Sequence, residues 1–192
     1  MGGGSLTFVR MVRAVFLDRD GVLNKAIVRE GKPYSPATLE DLVVPPDAER
    51  ALRALHNRGL RLVMVTNQPD IARGKVRRET VQQINQYLCR ALPIDAVEVC
   101  EHDDADDCAC RKPRPGMLLR AAERDKILLS ESFMVGDRWR DIEAGRRAGC
   151  RTILIGDGYA EGLKSAPDIA VANLSEAADW ILGQTDALQE TR

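Results

Sequence analysis

Five short apolar runs rich in β-branched residues recur along the chain, at 13–18, 60–66, 96–100, 132–135 and 151–155. Each is too short to be a free-standing helix and apolar enough to be a buried strand. Between them lie segments with helical spacing. Ala48, Ala51, Leu52 and Leu55 form one stripe, closed by Gly59; Val81, Ile84, Leu88 and Ala91 form a second; Met117, Leu118, Ala121 and Ala122 a third. Ile142, Gly145 and Ala148 mark a fourth helix, stopped by Gly149. Strands alternating with helices leave few topologies: right-handed βαβ crossovers that build a parallel sheet with helices on both faces. The expected fold class is α/β, as a single domain over residues 1–192, a length that buries one substantial core.

Composition narrows the function classes. Hydrophobic residues are 44% of the chain and aromatics 4%, so the core is aliphatic, and the formal net charge is −1. That balance offers no electrostatic footprint for nucleic acid or an anionic membrane, so an anionic ligand has to be captured by a local site. No apolar run reaches membrane-spanning length, and residues 1–8 are too short and too polar for a signal peptide. The expectation is a cytoplasmic monomer without nucleic-acid or membrane partners, its ends at 1–10 and 186–192 flexible.

Three of the expected strands end in reactive side chains: Asp18-Arg19-Asp20-Gly21, Thr66-Asn67 and Gly136-Asp137. In open α/β sheets the ligand crevice lies beyond the carboxyl ends of the strands, so these groups converge. Asp18 and Asp20, two apart before a turn at Gly21, reach one point together. With Asp137 added, three carboxylates repel unless a hard divalent cation neutralises them, and magnesium with oxygen ligands is the natural occupant. Opposite them Thr66 offers a hydroxyl, and Lys112 offers a point charge suited to phosphate. Metal and lysine together clamp a phosphoryl group, Asp18 attacks phosphorus, and an acyl phosphate results. Each piece alone has an ordinary reading: a solvated turn, a polar loop start, a helix N-cap. Their order at corresponding places in one βα pattern favours the enzyme.

Cys100 and His102, then Cys108 and Cys110, form Cys-x-His and Cys-x-Cys pairs with five residues between them. Three thiolates and one imidazole complete a tetrahedral, closed zinc set. The plain alternative is buried cysteine, but Cys108 and Cys110 stand beside Asp103, Asp104, Asp106 and Asp107, which is no core context. This zinc loop, 100–110, runs straight into Arg111 and Lys112. Cys89 and Cys150 are left to pack in or near the core, and His56 for surface or boundary packing.

The strings FLDRDGVLN at 16–24, TNQ at 66–68, KP at 112–113, and GD at 136–137 followed by Asp141 resemble the four motifs of the haloacid dehalogenase superfamily. The resemblance implies a Rossmann-like sheet, Asp18 as nucleophile, Asp20 as general acid and then base, and Thr66 and Lys112 on the phosphoryl group. It also implies magnesium held by Asp18, the backbone carbonyl of Asp20, and Asp137, with Asp141 as ligand or support. The short gaps around Thr66 leave no room for a large helical cap; a flap at 25–36, shaped by Gly31, Pro33 and Pro36, stands in its place. An open, capless site favours a phosphatase acting on a small phosphate ester over a mutase.

Within the superfamily the chain is similar to the heptose 1,7-bisphosphate 7-phosphatases and to the histidinol-phosphate phosphatases. IARG at 71–74 and CRKPRPGM at 110–117 follow the heptose type. Pro69-Asp70 departs from its usual turn, and the five-residue zinc spacer is nearer the histidinol-phosphate type. The heptose resemblance implies a sugar-recognising Arg111, with Asn67, Gln68 and Arg138 as further substrate-binding positions. Arg19, Arg73 and Arg138 either add positive charge to the site or are solvated surface residues. A catalytically idle binding module is the remaining alternative, and the complete set Asp18, Asp20, Thr66, Lys112 and Asp137 speaks against it.

Overall fold

The computed structural model describes residues 11–190; the segment 1–10 and residues 191–192 lie outside the described residues, and with them the expected flexible start. Six strands form one parallel sheet: β1 (Ala14–Leu17), β4 (Arg61–Asn67), β5 (Ala96–Cys100), β6 (Phe133–Gly136), β7 (Arg151–Ile155) and β8 (Ile169–Val171). Their order is β5-β4-β1-β6-β7-β8, with Ala14 opposite Arg61 on one side of β1 and Val15 opposite Phe133 on the other. The chain steps outward from β1 through β4 to β5, then returns to fill the opposite side. This reversal leaves the crevice at the carboxyl end of β1, between β4 and β6.

Residues along the central strands alternate between two cores, as the strand period of two requires. Val15, Leu17, Leu62 and Met64 face one layer, with α1 (Ala48–Asn57), α3 (Arg78–Ala91) and α6 (Leu174–Glu190). Ala14, Phe16, Val63 and Val65 face the other, with α4 (Gly116–Asp125) and α5 (Trp139–Ala148). All of β1 is fully buried, and burying an aliphatic side chain is worth about 1.5–3 kcal/mol. Both faces of the sheet are thus covered, as the alternation predicts. The close seat of α5 depends on Gly145, where a Cβ would stand 2.6 Å from the Met134 Cβ and 2.8 Å from the Thr152 Cγ2.

Several elements go beyond the sequence reading. The edge strand β8 and the long helix α6 complete the sheet and cover α1, with Leu174, Ala177, Ala178 and Ile181 buried. The polar stretch after Thr185 continues α6 as far as Glu190, and Thr185 itself is buried. The segment 25–36 holds an antiparallel hairpin, β2 (Ile27–Arg29) and β3 (Lys32–Tyr34), and a short helix α2 (Pro69–Ala72) follows β4. Among the described residues no helix is long and apolar enough to cross a membrane.

Candidate active site

β1 delivers Asp18 directly beyond its last residue, and the Asp18 N–H donates to the Val135 carbonyl of β6 at 2.9 Å. The chain then turns tightly, with Leu23 and Asn24 N–H groups returning to the Arg19 carbonyl. Gly21 permits this turn. Its φ is +98°, and a Cβ there would lie 1.7 Å from the Asp137 Oδ2, so no other residue fits without moving the carboxylate. β6 brings Asp137, and the first turn of α5 brings Asp141.

Asp18, Asp137 and Asp141 are all buried, and each offers an oxygen within 4.8 Å of the others. Between two of them lies the Lys112 Nζ, 2.8 Å from Asp18 Oδ1 and 2.7 Å from Asp141 Oδ1, its third donor satisfied by the Val65 carbonyl at 2.8 Å. Burial works to discharge this lysine, but the Asp141 and Asp18 carboxylates overcome it and raise its pKa to about 12. One cation does not balance three acids. Burial first, then the Asp141 charge, pushes Asp18 up to about 7, and burial with the Asp18 and Asp141 charges holds Asp137 well above the usual carboxylate range. Asp137 Oδ1 is moreover buried without a hydrogen-bond partner. A buried, unpartnered carboxylate oxygen in an over-acidic cluster is the donor set that a hard, oxygen-seeking dication fits.

The excess charge has a measurable consequence for the chelated protein. Because the folded pKa of Asp18 lies above the ordinary 3.8, the folded chain holds an extra proton between pH 4 and pH 7. Stability therefore falls as pH rises through that window, whereas Asp20, held low, contributes stability that is lost only below about pH 4. Urea midpoints of metal-free protein should drop from pH 5 to pH 8, and magnesium should recover most of the drop. A flat profile without metal would exclude this account.

Asp20 stands apart from the cluster. Its oxygens accept from Arg19 Nε and Nη2 at 3.1 and 3.0 Å, Asn24 Nδ2 at 3.1 Å, Ser35 Oγ at 2.7 Å and Gln68 Nε2 at 2.9 Å. Burial works to raise its pKa, but the Arg19 charge and the hydrogen bonds from Arg19, Ser35 and Asn24 hold it below the usual range. Arg19 is no surface residue: it is fully buried, and its Nη1 donates to Asn85 of α3 at 2.9 Å. Gln68 Nε2 also donates to the buried Thr66 Oγ1 at 2.8 Å. Asn67 pairs with the backbone of Lys112 in both directions, at 2.9 and 3.1 Å, so it seats the lysine. Arg111 pairs with Asp104 at 2.8 Å, Arg138 with Glu161, and Arg73 forks Asp103 at 2.7 and 2.6 Å.

The four zinc candidates meet at the end of β5. Cys110 Sγ lies 3.3 Å from both Cys100 Sγ and His102 Nδ1 and 3.4 Å from Cys108 Sγ, and Cys100 is 3.7 Å from Cys108 and from His102. A tetrahedron with Zn–S bonds of about 2.3 Å has edges near ~3.8 Å, so the donors stand close to ready positions. Burial opposes ionisation of Cys108, yet hydrogen bonds from Cys110 and the Arg111 backbone lower it to about 7. Cys150 is buried and Cys89 half-buried, while His56 sits half-exposed 3.5 Å from Asp95.

Outside the carboxylates opens a groove of about 250 Å³ lined by Lys32, Arg73, Lys75, Arg111, Arg138 and Arg140 against Asp70, Asp104 and Glu161. The site thus has residues that no motif marked: Ser35 just past the hairpin, Asn85, and Tyr159, whose hydroxyl donates to Asp137 Oδ2 at 2.7 Å.

A HAD-hydrolase-like family model matches residues 109–177. The D-glycero-beta-D-manno-heptose-1,7-bisphosphate 7-phosphatase of Helicobacter pylori is 32% identical over 177 residues, covering 88% of this chain and 97% of that protein. The D,D-heptose 1,7-bisphosphate phosphatase of Bordetella bronchiseptica, crystallised with magnesium and phosphate, superposes with a TM-score of 0.74 at 28% identity, over 90% of this chain and 99% of that one. A HAD-like phosphatase from Mesorhizobium loti gives a TM-score of 0.77 at 29% identity, covering 98% and 91%.

Proposed function

The chain belongs to the haloacid dehalogenase superfamily, in the group of the D-glycero-beta-D-manno-heptose-1,7-bisphosphate 7-phosphatases, and we propose that it removes the 7-phosphate from such a heptose bisphosphate. The observation that carries the reading is the convergence of Asp18, Lys112 and the unpartnered Asp137 oxygen on one buried point, at the mouth of a groove with six basic side chains against three acidic ones. One phosphoryl group goes to the point; the surplus of positive charge suits a second anion.

In this reading Asp18 attacks phosphorus, the bond to the sugar oxygen breaks, and a mixed anhydride forms on the Asp18 carboxylate. Lys112 and the Thr66 hydroxyl hold the non-bridging oxygens. Asp20 protonates the leaving oxygen and then takes a proton from the water that splits the anhydride. It rests as a carboxylate under five donated hydrogen bonds, which suits the second step; for the first it takes up a proton as substrate displaces a donor. Magnesium, when bound, supplies charge that offsets the phosphoryl oxygens. Asp18, Asp137 and the Asp20 carbonyl would hold it. Asp141 acts as support, since its oxygens already meet Lys112 and the Arg138 N–H. Zinc on Cys100, His102, Cys108 and Cys110 shapes the loop that presents Arg111, and its three thiolates agree with a reducing, cytoplasmic setting.

The test is a panel of phosphate esters with magnesium. The heptose 1,7-bisphosphate should give the highest kcat/KM, ahead of histidinol phosphate, whose cationic amine the basic groove repels. Arg111→Ala should lower heptose bisphosphate turnover about 10-fold or more while an aryl phosphate is little affected, as loss of one charge-assisted contact predicts. Preference for histidinol phosphate, or equal losses on both substrates, would move the assignment to the sister activity or another sugar phosphate.

A further inference from the structure

The loop after β7 reaches the carboxylate cluster from a side that no motif occupies. It runs from Gly156 into a 3-10 turn at Tyr159–Glu161, which packs against β3 of the hairpin. Tyr159 has a φ of +58°, uncommon for a bulky residue, between Gly158 at +77° and Gly162 at +68°. Unfavourable backbone of this kind persists only where surrounding contacts hold it. Two such contacts are visible. The Tyr159 hydroxyl donates to Asp137 Oδ2 at 2.7 Å, and Glu161 pairs with Arg138, so one turn grips both consecutive residues beyond β6.

The division within Asp137 is the decisive detail. Oδ2 is committed to the phenol, while Oδ1 of the same carboxylate is buried and has no partner. A carboxylate free to rotate about its last bond presents either oxygen; one fixed by a hydroxyl presents a chosen oxygen. Groups that hydrogen-bond a metal ligand from behind orient it in this way, and their loss typically costs about 10–100-fold in metal affinity or activity. We infer that Tyr159 is a positioning residue for the divalent cation, fixing the Asp137 carboxylate so that Oδ1 is left for the metal. The inference rests on the reading of Asp18 and Asp137 as the cation site.

Tyr159→Phe keeps the ring and removes only the donor. Titrating magnesium calorimetrically into chelator-treated protein should show a dissociation constant raised about 10–100-fold over wild type. The magnesium dependence of phosphate release should shift in parallel, with kcat at saturating magnesium restored to within about 3-fold. An unchanged magnesium constant, or a kcat deficit that saturating magnesium does not restore, would overturn the inference. So would a lower metal-free melting temperature with an unchanged magnesium constant, which assigns the tyrosine to packing. Wild-type protein that binds no magnesium removes the cation reading and this inference with it; wild-type binding with an unaltered variant removes the inference alone.

Discussion

Asp18→Asn should abolish phosphate release, by about 10⁴-fold or more, while leaving the fold intact. Removing an attacking carboxylate leaves only binding and transition-state charge stabilisation, and nucleophile deletions in other hydrolases cost that much. The fold survives because the amide is isosteric and its oxygen can still accept from Lys112 Nζ, now 2.8 Å from Asp18 Oδ1. The variant also relieves a charge excess. With Asp18 pushed up to about 7 by burial and by Asp141, a neutral group at this position costs the metal-free protein nothing at pH 8. The check is phosphate release with magnesium, thermal melting of both proteins, and acid-quench capture of labelled phosphate on the chain. Wild type should trap label on Asp18 and the variant none. Folded Asp18→Asn retaining activity within 10-fold of wild type would place the nucleophile elsewhere.

How much of this was legible in the sequence differs residue by residue. Asp18, Thr66 and Asp137 were readable because each follows a short apolar run, and strand ends in a βαβ pattern share one edge of the sheet. The zinc set was readable because all four donors lie within eleven residues, close enough for spacing to carry geometry. Arg19 was not. It sits next to Asp20 in a string that reads equally as a solvated turn, and the partner that explains its burial, Asn85, is 66 residues away on α3. Nor was Tyr159, whose contact with Asp137 spans 22 residues and depends on a left-handed turn after β7. Asn67 and Gln68 were read as facing substrate. Their side chains also hold the Lys112 backbone, Thr66 and Asp20, contacts that turn on loop geometry across 45 and 48 residues and that no local spacing shows. In α6 the stripe Leu174, Ala177, Ala178, Ile181 has helical spacing, but two of its four members are alanine and the tail beyond is polar, so the signal is weak.

Cys110→Ser should produce the second large effect, on stability first and on activity through it. Cys110 is the centre of the cluster: it is buried, and its sulfur lies 3.3–3.4 Å from each of the other three donors. The loop's other ties are mostly surface ion pairs, Arg73 with Asp103 and Arg78 with Glu101, and such pairs contribute about 1 kcal/mol or less. Loss of a structural metal belongs among the large destabilising mechanisms. At about 3 kcal/mol it lowers Tm by roughly 6–12 °C for a chain of this size. Zinc should fall from about one per chain to a small fraction. The activity loss should be graded rather than complete, about 10–100-fold in kcat/KM. Lys112 follows Cys110 by two residues, but it is also held by the Asn67 amide on its backbone and by Asp18, Asp141 and the Val65 carbonyl on its Nζ. Among the described residues the Arg111 side chain is held by Asp104 and the His102 carbonyl, both on the loop, so KM for a bisphosphate should rise more than kcat falls. Elemental analysis, melting curves and steady-state kinetics on the same preparations decide it. Zinc-free wild type, or a variant that keeps both its zinc and its melting temperature, would strip the cluster of its structural role.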